Sequence, residues 1–270
     1  MSKFLYLFFP YLAVLVSIVF SQGQYDDALL DAKRRFAMME IRAVAEPFRG
    51  IATSEGIESG LFPVRSTGVP TEPMRKAAEN FLGALTPEQK IRTVFAVDDP
   101  EWRRWCNVDN GIYVRQGVSF EQMTPGQKEV AFELLRVSLS ARGFQLSRDI
   151  MKTDQTLREL NNDILMYGED KYFLTVMGMP SPVEPWGWQL DGHHLIINYF
   201  VLGDQVVMTP VFLGGEPVVI ESVKYKGTAI LQEEQNQGLA LIESMSDDQR
   251  SKAILQSEKT RDSARAQAFR

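Results

Sequence analysis

Apolar residues in the first third of the chain recur at intervals of three and four, which is the spacing of one helix face. Residues 25–45 follow this spacing and stop before Pro47, so they predict an amphipathic helix. Residues 74–85 follow it more closely and predict a second helix. Between the two, residues 49–70 are rich in glycine and proline, which predicts a loop with a short strand at Leu61–Val64.

A short polar pattern predicts where three further helices begin. Thr86, Thr124 and Ser246 each follow an apolar residue and precede a glutamine by three positions. This is the arrangement of a capping box, in which each side chain bonds to the backbone N–H of the other residue. An internal duplication is the alternative, but capping alone produces such short similarity. The helix after Thr124 is expected to stop at Gly143, and another helix is expected over residues 153–166.

The second half of the chain changes to the spacing of strands. Residues 172–177 and 186–202 are aromatic and β-branched, so each run predicts a strand. Gly203-Asp204 separates the longer run from another at residues 205–213, which predicts an antiparallel hairpin over about 186–213. A helical pattern then returns. We therefore expect an α+β fold in which N-terminal helices pack on an antiparallel sheet and C-terminal helices follow.

The N-terminus resembles an export signal. Lys3 precedes a run of 17 uncharged residues, Phe4–Phe20, and the small residues Val19 and Ser21 suit cleavage after Ser21. The alternative is an uncleaved membrane anchor, because a run of this length just spans a bilayer. We expect an exported protein, periplasmic or extracellular, in which residues 25–270 form a single domain. Membrane contact is expected only through residues 4–20, if that run is retained.

Composition and missing motifs exclude several classes of protein. The chain is 44% hydrophobic and 24% charged, which fits a globular protein and argues against collagen, coiled coil and wholesale disorder. Its net charge of −6 does not supply the basic surface of a nucleic-acid binder. Cys106 is the only cysteine, so no intramolecular disulfide can form. The sequence contains no phosphate-binding glycine loop, no HExxH and no GxSxG motif.

The densest polar and aromatic segment, residues 184–195, contains both histidines of the chain, His193 and His194. In a regular strand Asp191 and His193 share one face, which suits two metal ligands or a base oriented by its carboxylate. A bulge at Gly192 would instead bring both imidazoles to one site. The alternative is a structural histidine pair whose hydrogen bonds are satisfied by the backbone.

The same segment contains candidate ligand-binding residues. Trp186 and Trp188 are candidates for stacking a flat ligand or a sugar, although aromatic residues at alternate strand positions also cover cores. Gln189 follows Trp188 and, in a regular strand, shares the face of Asp191 and His193. Three arginines flank a predicted turn at residues 107–111, where they either pair locally or form an anion clamp. These are Arg103, Arg104 and Arg115.

Several segments carry a likeness to known proteins. They are Gly60-Leu61-Phe62-Pro63-Val64, Ser66-Thr67-Gly68, Ala77-Ala78 with Phe81-Leu82, Trp102-Arg103-Arg104-Trp105-Cys106-Asn107, Tyr167-Gly168, Pro185-Trp186-Gly187-Trp188-Gln189-Leu190 and Gly192-His193-His194-Leu195. From about residue 30 to the C-terminus, the chain resembles the DUF3500 family, uncharacterised bacterial and fungal proteins that are often exported. This resemblance implies no established activity.

The resemblance also implies a difference at the C-terminus. Family members continue into a histidine-rich segment with an HxH motif, an Arg-Asp pair and a further histidine. This sequence reaches Arg270 in a polar stretch, residues 257–270, without those residues. The resemblance therefore implies either a C-terminally incomplete chain or a protein that has lost the site. It also implies that the missing histidines would complete a metal site with His193 or His194.

These observations lead to two hypotheses about function. The first is a metal-dependent exported enzyme, hydrolytic or oxidative, that acts on a small molecule. In it His193 and His194 bind a divalent transition metal, His193 and Asp191 form the catalytic pair, and Trp186 and Trp188 wall the pocket. The second is a non-catalytic periplasmic or extracellular binding module that uses the tryptophan face together with Gln189 and the arginines, Arg104 among them.

Overall fold

The computed structural model describes residues 9–60 and 63–255, and only the backbone of residues 9–26. The chain divides into two compact units, Met1–Thr228 and Ala229–Arg270. In chain order the described elements are α1 (Phe9–Ala45), β1 (Ile51–Thr53), β2 (Gly56–Glu58), α2 (Glu72–Ala84), α3 (Pro87–Thr93), β3 (Val94–Phe95), β4 (Val118–Ser119), α4 (Pro125–Ser138), α5 (Ala141–Asn161), β5 (Phe173–Met177), β6 (Trp186–Gly192), β7 (Leu195–Leu202), β8 (Gln205–Val207), β9 (Val211–Leu213), α6 (Gln232–Ser244) and α7 (Asp247–Ala253).

A mixed sheet forms the centre of the first unit. Its inner strands β5, β6 and β7 are antiparallel neighbours. On one edge β3 pairs with β5 in parallel and β4 pairs with β5 antiparallel, and on the other edge β8 and β9 both pair with β7. All seven residues of β6 are buried, which explains why its sequence does not show a simple alternation of polar and apolar residues.

The two faces of β6 differ in chemistry. Trp186 and Trp188 define the helix face of the sheet, where the Trp188 ring stacks on Tyr199 at 5.1 Å and the Tyr199 hydroxyl lies 3.4 Å from Met74 Sδ of α2. Gln189 and Asp191 define the opposite face, called here the polar face. The core therefore lies between the helices and the helix face, and the polar face contains buried hydrogen-bonding groups.

The expected α+β class is confirmed. The predicted helix over residues 25–45 ends at Ala45 as expected, although α1 begins earlier, at Phe9. The helix predicted over 74–85 is α2, whose buried side chains follow the predicted stripe. The strand predicted at 172–177 is β5, and the turn at Gly203-Asp204 joins β7 to β8.

Several boundaries differ from the prediction. The helix expected over 153–166 is part of α5, which ends at Asn161, and residues 205–213 contain two strands, β8 and β9. Residues 186–202 form two strands rather than one, because the chain reverses at His193-His194. Gly143 does not stop α4, because Ser140 caps a new helix there by accepting a hydrogen bond from the Gly143 N–H at 3.0 Å. Pro63 and Val64 form no strand, and the rest of the strand predicted at 61–64 lies outside the described residues.

The predicted export signal, residues 1–21, falls partly outside the described residues. Among the helices that the structure does describe, none combines the length and hydropathy that crossing a bilayer requires. Export, the anchor alternative and the single-domain organisation stay predictions.

The three predicted capping boxes are confirmed at Thr86, Thr124 and Ser246. The first two are also joined to each other through their glutamines. Gln127 Nε2 donates to Gln89 Oε1 at 2.7 Å and to the Ala84 carbonyl at the end of α2 at 2.8 Å. Both glutamines are buried, so this bond links the starts of α3 and α4 in the interior.

This link predicts non-additive stability changes. Gln89→Ala and Gln127→Ala should each lower the free energy of unfolding by about 1–3 kcal/mol, because each leaves buried polar groups without partners. The decrease in the free energy of unfolding of the double variant should be smaller than the sum of the two single decreases, by at least about 0.5 kcal/mol. The reason is that both single variants remove the same bond. Urea unfolding of the four proteins measures this coupling, and strictly additive losses would contradict it.

Candidate metal centre

Both histidines of the chain occupy the two-residue turn between β6 and β7. Gly192 pairs with Leu195 across this turn. His194 has a φ of 59°, a left-handed conformation that costs a residue with a Cβ about 1–2 kcal/mol. Its backbone is held on both sides, because its N–H donates to the Asn107 carbonyl at 3.3 Å and its carbonyl accepts from the Gly214 N–H at 2.8 Å.

The neighbouring strand residues leave the turn little freedom. A Cβ at Gly192 would lie 2.2 Å from the Tyr172 ring, so only glycine fits there. The Tyr172 hydroxyl donates to the His193 carbonyl at 3.0 Å. The turn is therefore fixed by contacts with residues distant in sequence.

His193 is oriented by a buried carboxylate on α5. Its Nδ1 lies 2.7 Å from Asp154 Oδ1, and Asp154 Oδ2 accepts a hydrogen bond from the Gly168 N–H at 3.1 Å. Burial raises the pKa of Asp154, while the hydrogen bonds from His193 and Gly168 oppose that shift. A proton on Nδ1 would be donated to Asp154 and would leave the Nε2 lone pair available as a ligand.

His194 and Glu216 complete a set of three groups that could hold a metal ion. The two imidazole rings stack with centroids 3.9 Å apart. One ligand atom from each of His193, His194 and Glu216 lies within 4.8 Å of the other two. Burial, and then the neighbouring His193, lower the pKa of His194 to about 4, so its imidazole is neutral at physiological pH. Two imidazoles and a carboxylate form a donor set suited to a divalent transition metal.

Asp109 lies near Nε2 of the His193 ring, the nitrogen that does not contact Asp154, and Tyr167 lies close to the same ring. Asp109 Oδ1 is 3.4 Å from His193 Nε2, and the Asp109 side chain is 28% exposed. The Tyr167 ring lies 5.6 Å from the His193 ring. Burial, followed by the charge of Asp109 and a hydrogen bond to it, raises the pKa of the Tyr167 hydroxyl. Glu216 is also exposed, so solvent reaches the site.

Asp191, predicted to act with His193, is bound instead to Arg115. Arg115 Nε lies 3.1 Å from Asp191 Oδ1, and both side chains are buried. Burial raises the pKa of Asp191 to about 6, although Arg115 opposes the shift. Arg115 also donates to the Val108 carbonyl at 2.8 Å and to Asn110 Oδ1 at 3.1 Å. Asp191 thus holds, through Arg115, the loop that carries Asp109.

The predicted tryptophan pair lies within the core. Trp186 and Trp188 are fully buried on the helix face, which is the core-covering alternative. Gln189 donates to Asn198 Oδ1 at 2.7 Å on the polar face.

Two of the three arginines, Arg103 and Arg104, bond to residues of α1. Arg104 Nε lies 2.8 Å from Glu40 Oε1, and Arg103 donates to the carbonyls of Ala43 and Val44 at 2.7 and 3.2 Å. Arg103 and Arg104 therefore bond to residues of α1 that are distant in sequence, and Arg115 pairs with Asp191.

Four residues of the cluster were missing from the sequence-based prediction. Asp154 carries the clearest signal, because it is an acidic residue next to the apolar positions Ile150 and Met151 of one helix. Asp109 was interpreted only as part of a turn. Tyr167 and Glu216 show no local pattern that marks them as site residues.

Together the fold and the donor set define an α+β protein with a candidate transition-metal centre at a sheet turn. Residues 67–269 match the family model described as "Protein of unknown function (DUF3500)". Because this match covers most of the chain, the protein belongs to that family, as the resemblance implied. No curated protein and no solved structure matches the chain.

A buried carboxyl group near the polar face is expected to make stability depend on pH. Glu101 is 1% exposed, and its Oε2 lies 3.8 Å from Arg104 Nη1. Burial raises the pKa of Glu101 from 4.5 to about 8, although Arg104 opposes the shift. Between these two values the folded state holds more protons than the unfolded state, so the free energy of unfolding falls as the pH rises.

Glu101→Gln should remove this contribution, because the amide stays neutral. The stabilisation is fully present below pH 4.5 and is lost by about pH 8, at a rate of no more than about 1.4 kcal/mol per pH unit. Relative to the unmodified protein, Glu101→Gln should therefore gain stability between pH 5 and pH 8 in urea unfolding. The exposed Glu184→Gln serves as the control. Parallel pH profiles for Glu101→Gln and the unmodified protein would contradict the prediction.

Proposed function

We propose that this protein is a metal-dependent enzyme, hydrolytic or oxidative, that holds a divalent transition-metal ion through His193, His194 and Glu216. The supporting observation is the convergence of three ligand atoms within 4.8 Å of one another. Metal–ligand bonds of about 2.0–2.2 Å place neighbouring ligand atoms about 3–3.5 Å apart. Binding would bring the three ligand atoms to that spacing, and Glu216 is the exposed member of the set.

The donor set favours some ions over others. Imidazole nitrogen suits zinc, iron, copper and nickel, whereas magnesium and calcium prefer sites made of oxygen. Two histidines and one carboxylate occur as ligands both in zinc hydrolases and in non-haem iron oxygenases. When bound, a zinc ion would supply a water with a lowered pKa, and an iron(II) ion would supply oxygen chemistry.

Residues around the histidines support this role by positioning them. Asp154 accepts from His193 Nδ1 and keeps Nε2 directed at the site, as a carboxylate does behind many metal-bound histidines. Asn107 and Gly214 hold the left-handed His194. We further propose that the substrate is a small molecule. We also propose that the protein acts after export, which the N-terminal sequence pattern alone supports.

Metal content tests the proposal directly. The full chain, prepared without a polyhistidine tag, should bind about one zinc or iron(II) ion in calorimetric titration. Glu216→Gln should weaken binding at least about tenfold, because the amide removes the charged ligand. The matched variant Glu221→Gln, at an exposed glutamate five positions along the chain, should bind as the unmodified protein does.

Two outcomes would contradict the proposal. One is a protein that takes up neither ion at micromolar concentration. The other is equal affinity in Glu216→Gln, Glu221→Gln and the unmodified protein, which would place the bound ion elsewhere.

A further inference from the structure

Phe212 exposes an aromatic ring beside the candidate metal centre. The centroid of its ring lies 6.4 Å from that of His194, and the two ring planes are inclined by only 24°. This spacing is typical of an offset stack. Phe212 is nevertheless 36% exposed, so the fold leaves part of the ring uncovered. A flat apolar surface is therefore open to solvent next to one of the two histidines.

The register of the sheet places Phe212 on the polar face. Asp191 of β6 pairs with Ile196 of β7, and Ile196 pairs with Phe212 of β9. Cross-strand partners project to the same side of a sheet, so Phe212 lies on the same face as Asp191, at the edge formed by β9. The ring therefore lies outside the core that the helices cover.

Gly214 leaves the space beside this ring free. A Cβ at position 214 would lie 3.1 Å from Phe212 Cε1 and 3.6 Å from His194 Cγ, so any side chain there would contact both rings. The φ angle of Gly214 is not in the left-handed region, so its backbone conformation does not require glycine. The missing side chain instead keeps the surface of the two rings accessible.

We propose that Phe212 determines specificity at the metal centre and that the substrate carries a planar aromatic group. This inference rests on the proposed function and names the class of its substrate. The aromatic group would stack on Phe212, in the space that Gly214 leaves, while an oxygen atom of the substrate binds the metal ion. Stacking removes apolar surface from water and satisfies the preferred geometry of two rings. Phe212 thereby takes the role that the sequence suggested for Trp186 and Trp188.

Two hydroxamates test this inference on the full chain, loaded with the ion that it takes up, zinc or iron(II). Both compounds chelate a metal ion through the same two oxygen atoms, but benzohydroxamate carries a phenyl ring where acetohydroxamate carries a methyl group. Benzohydroxamate should bind at least about tenfold more tightly in calorimetric titration, because its ring is buried against Phe212.

Phe212→Ala should remove this preference and bring the two affinities to within about threefold of each other. The affinities for acetohydroxamate and for the metal ion should not change, because Phe212 supplies no ligand atom. The same substitution at an 81% exposed phenylalanine, Phe48→Ala, should retain the preference. Gly214→Ala should lower it, because the added methyl group occupies the space beside the ring, and this variant tests the inference if Phe212→Ala does not fold.

The outcomes separate this inference from the proposed function. If the metal-loaded protein binds neither hydroxamate, or binds both equally, the inference is wrong and the metal site stands. A preference that persists in Phe212→Ala overturns it in the same way, as does a preference that persists in Gly214→Ala when Phe212→Ala does not fold. If the unmodified protein takes up no metal ion, the proposed function fails and this inference fails with it.

Discussion

The two-residue turn between β6 and β7 determines where both histidines of the chain lie. Two buried strands of fixed register leave only residues 193 and 194 to reverse the chain. The reversal places His194 in a left-handed conformation, and the energy for this comes from the surrounding hydrogen bonds. Because the turn is short, the two imidazole rings stack, and both lie at the same candidate metal site. A regular strand would have placed them on opposite faces.

Around this turn, buried carboxyl groups and an arginine contact the histidines and the neighbouring loop. Asp154 fixes the orientation of His193 from α5. Asp191 and Arg115 form a buried ion pair, and Arg115 holds the carbonyls of the loop that carries Asp109. Removing one partner of such a pair leaves an uncompensated buried charge, so both residues are tied to the fold as well as to the site. The groups left near solvent are Asp109 and Glu216.

Local signals made the helices and the β7–β8 hairpin predictable, whereas the site depends on distant contacts. Thr86 and Thr124 bond within their own capping boxes, so the sequence alone locates these helix starts. The His193-His194 turn lacks the glycine or asparagine of a usual tight turn, so its sequence does not mark it as one. Backbone hydrogen bonds of His194 with Asn107 and Gly214, which are distant in sequence, stabilise it instead. Asp154 is 39 residues from His193, and no spacing rule connects them. The histidine pair was therefore predictable as a candidate, but its carboxylate partners were not.

The nitrogen signals of the two imidazoles test the central claim most directly. His193 and His194 are the only histidines in the chain, so a long-range proton–nitrogen NMR spectrum contains only their signals. We expect His193 to carry its proton on Nδ1 in the metal-free protein, and one equivalent of zinc to shift the nitrogen signals of both rings. A proton on His193 Nε2, or two rings that do not respond to zinc, would contradict this claim.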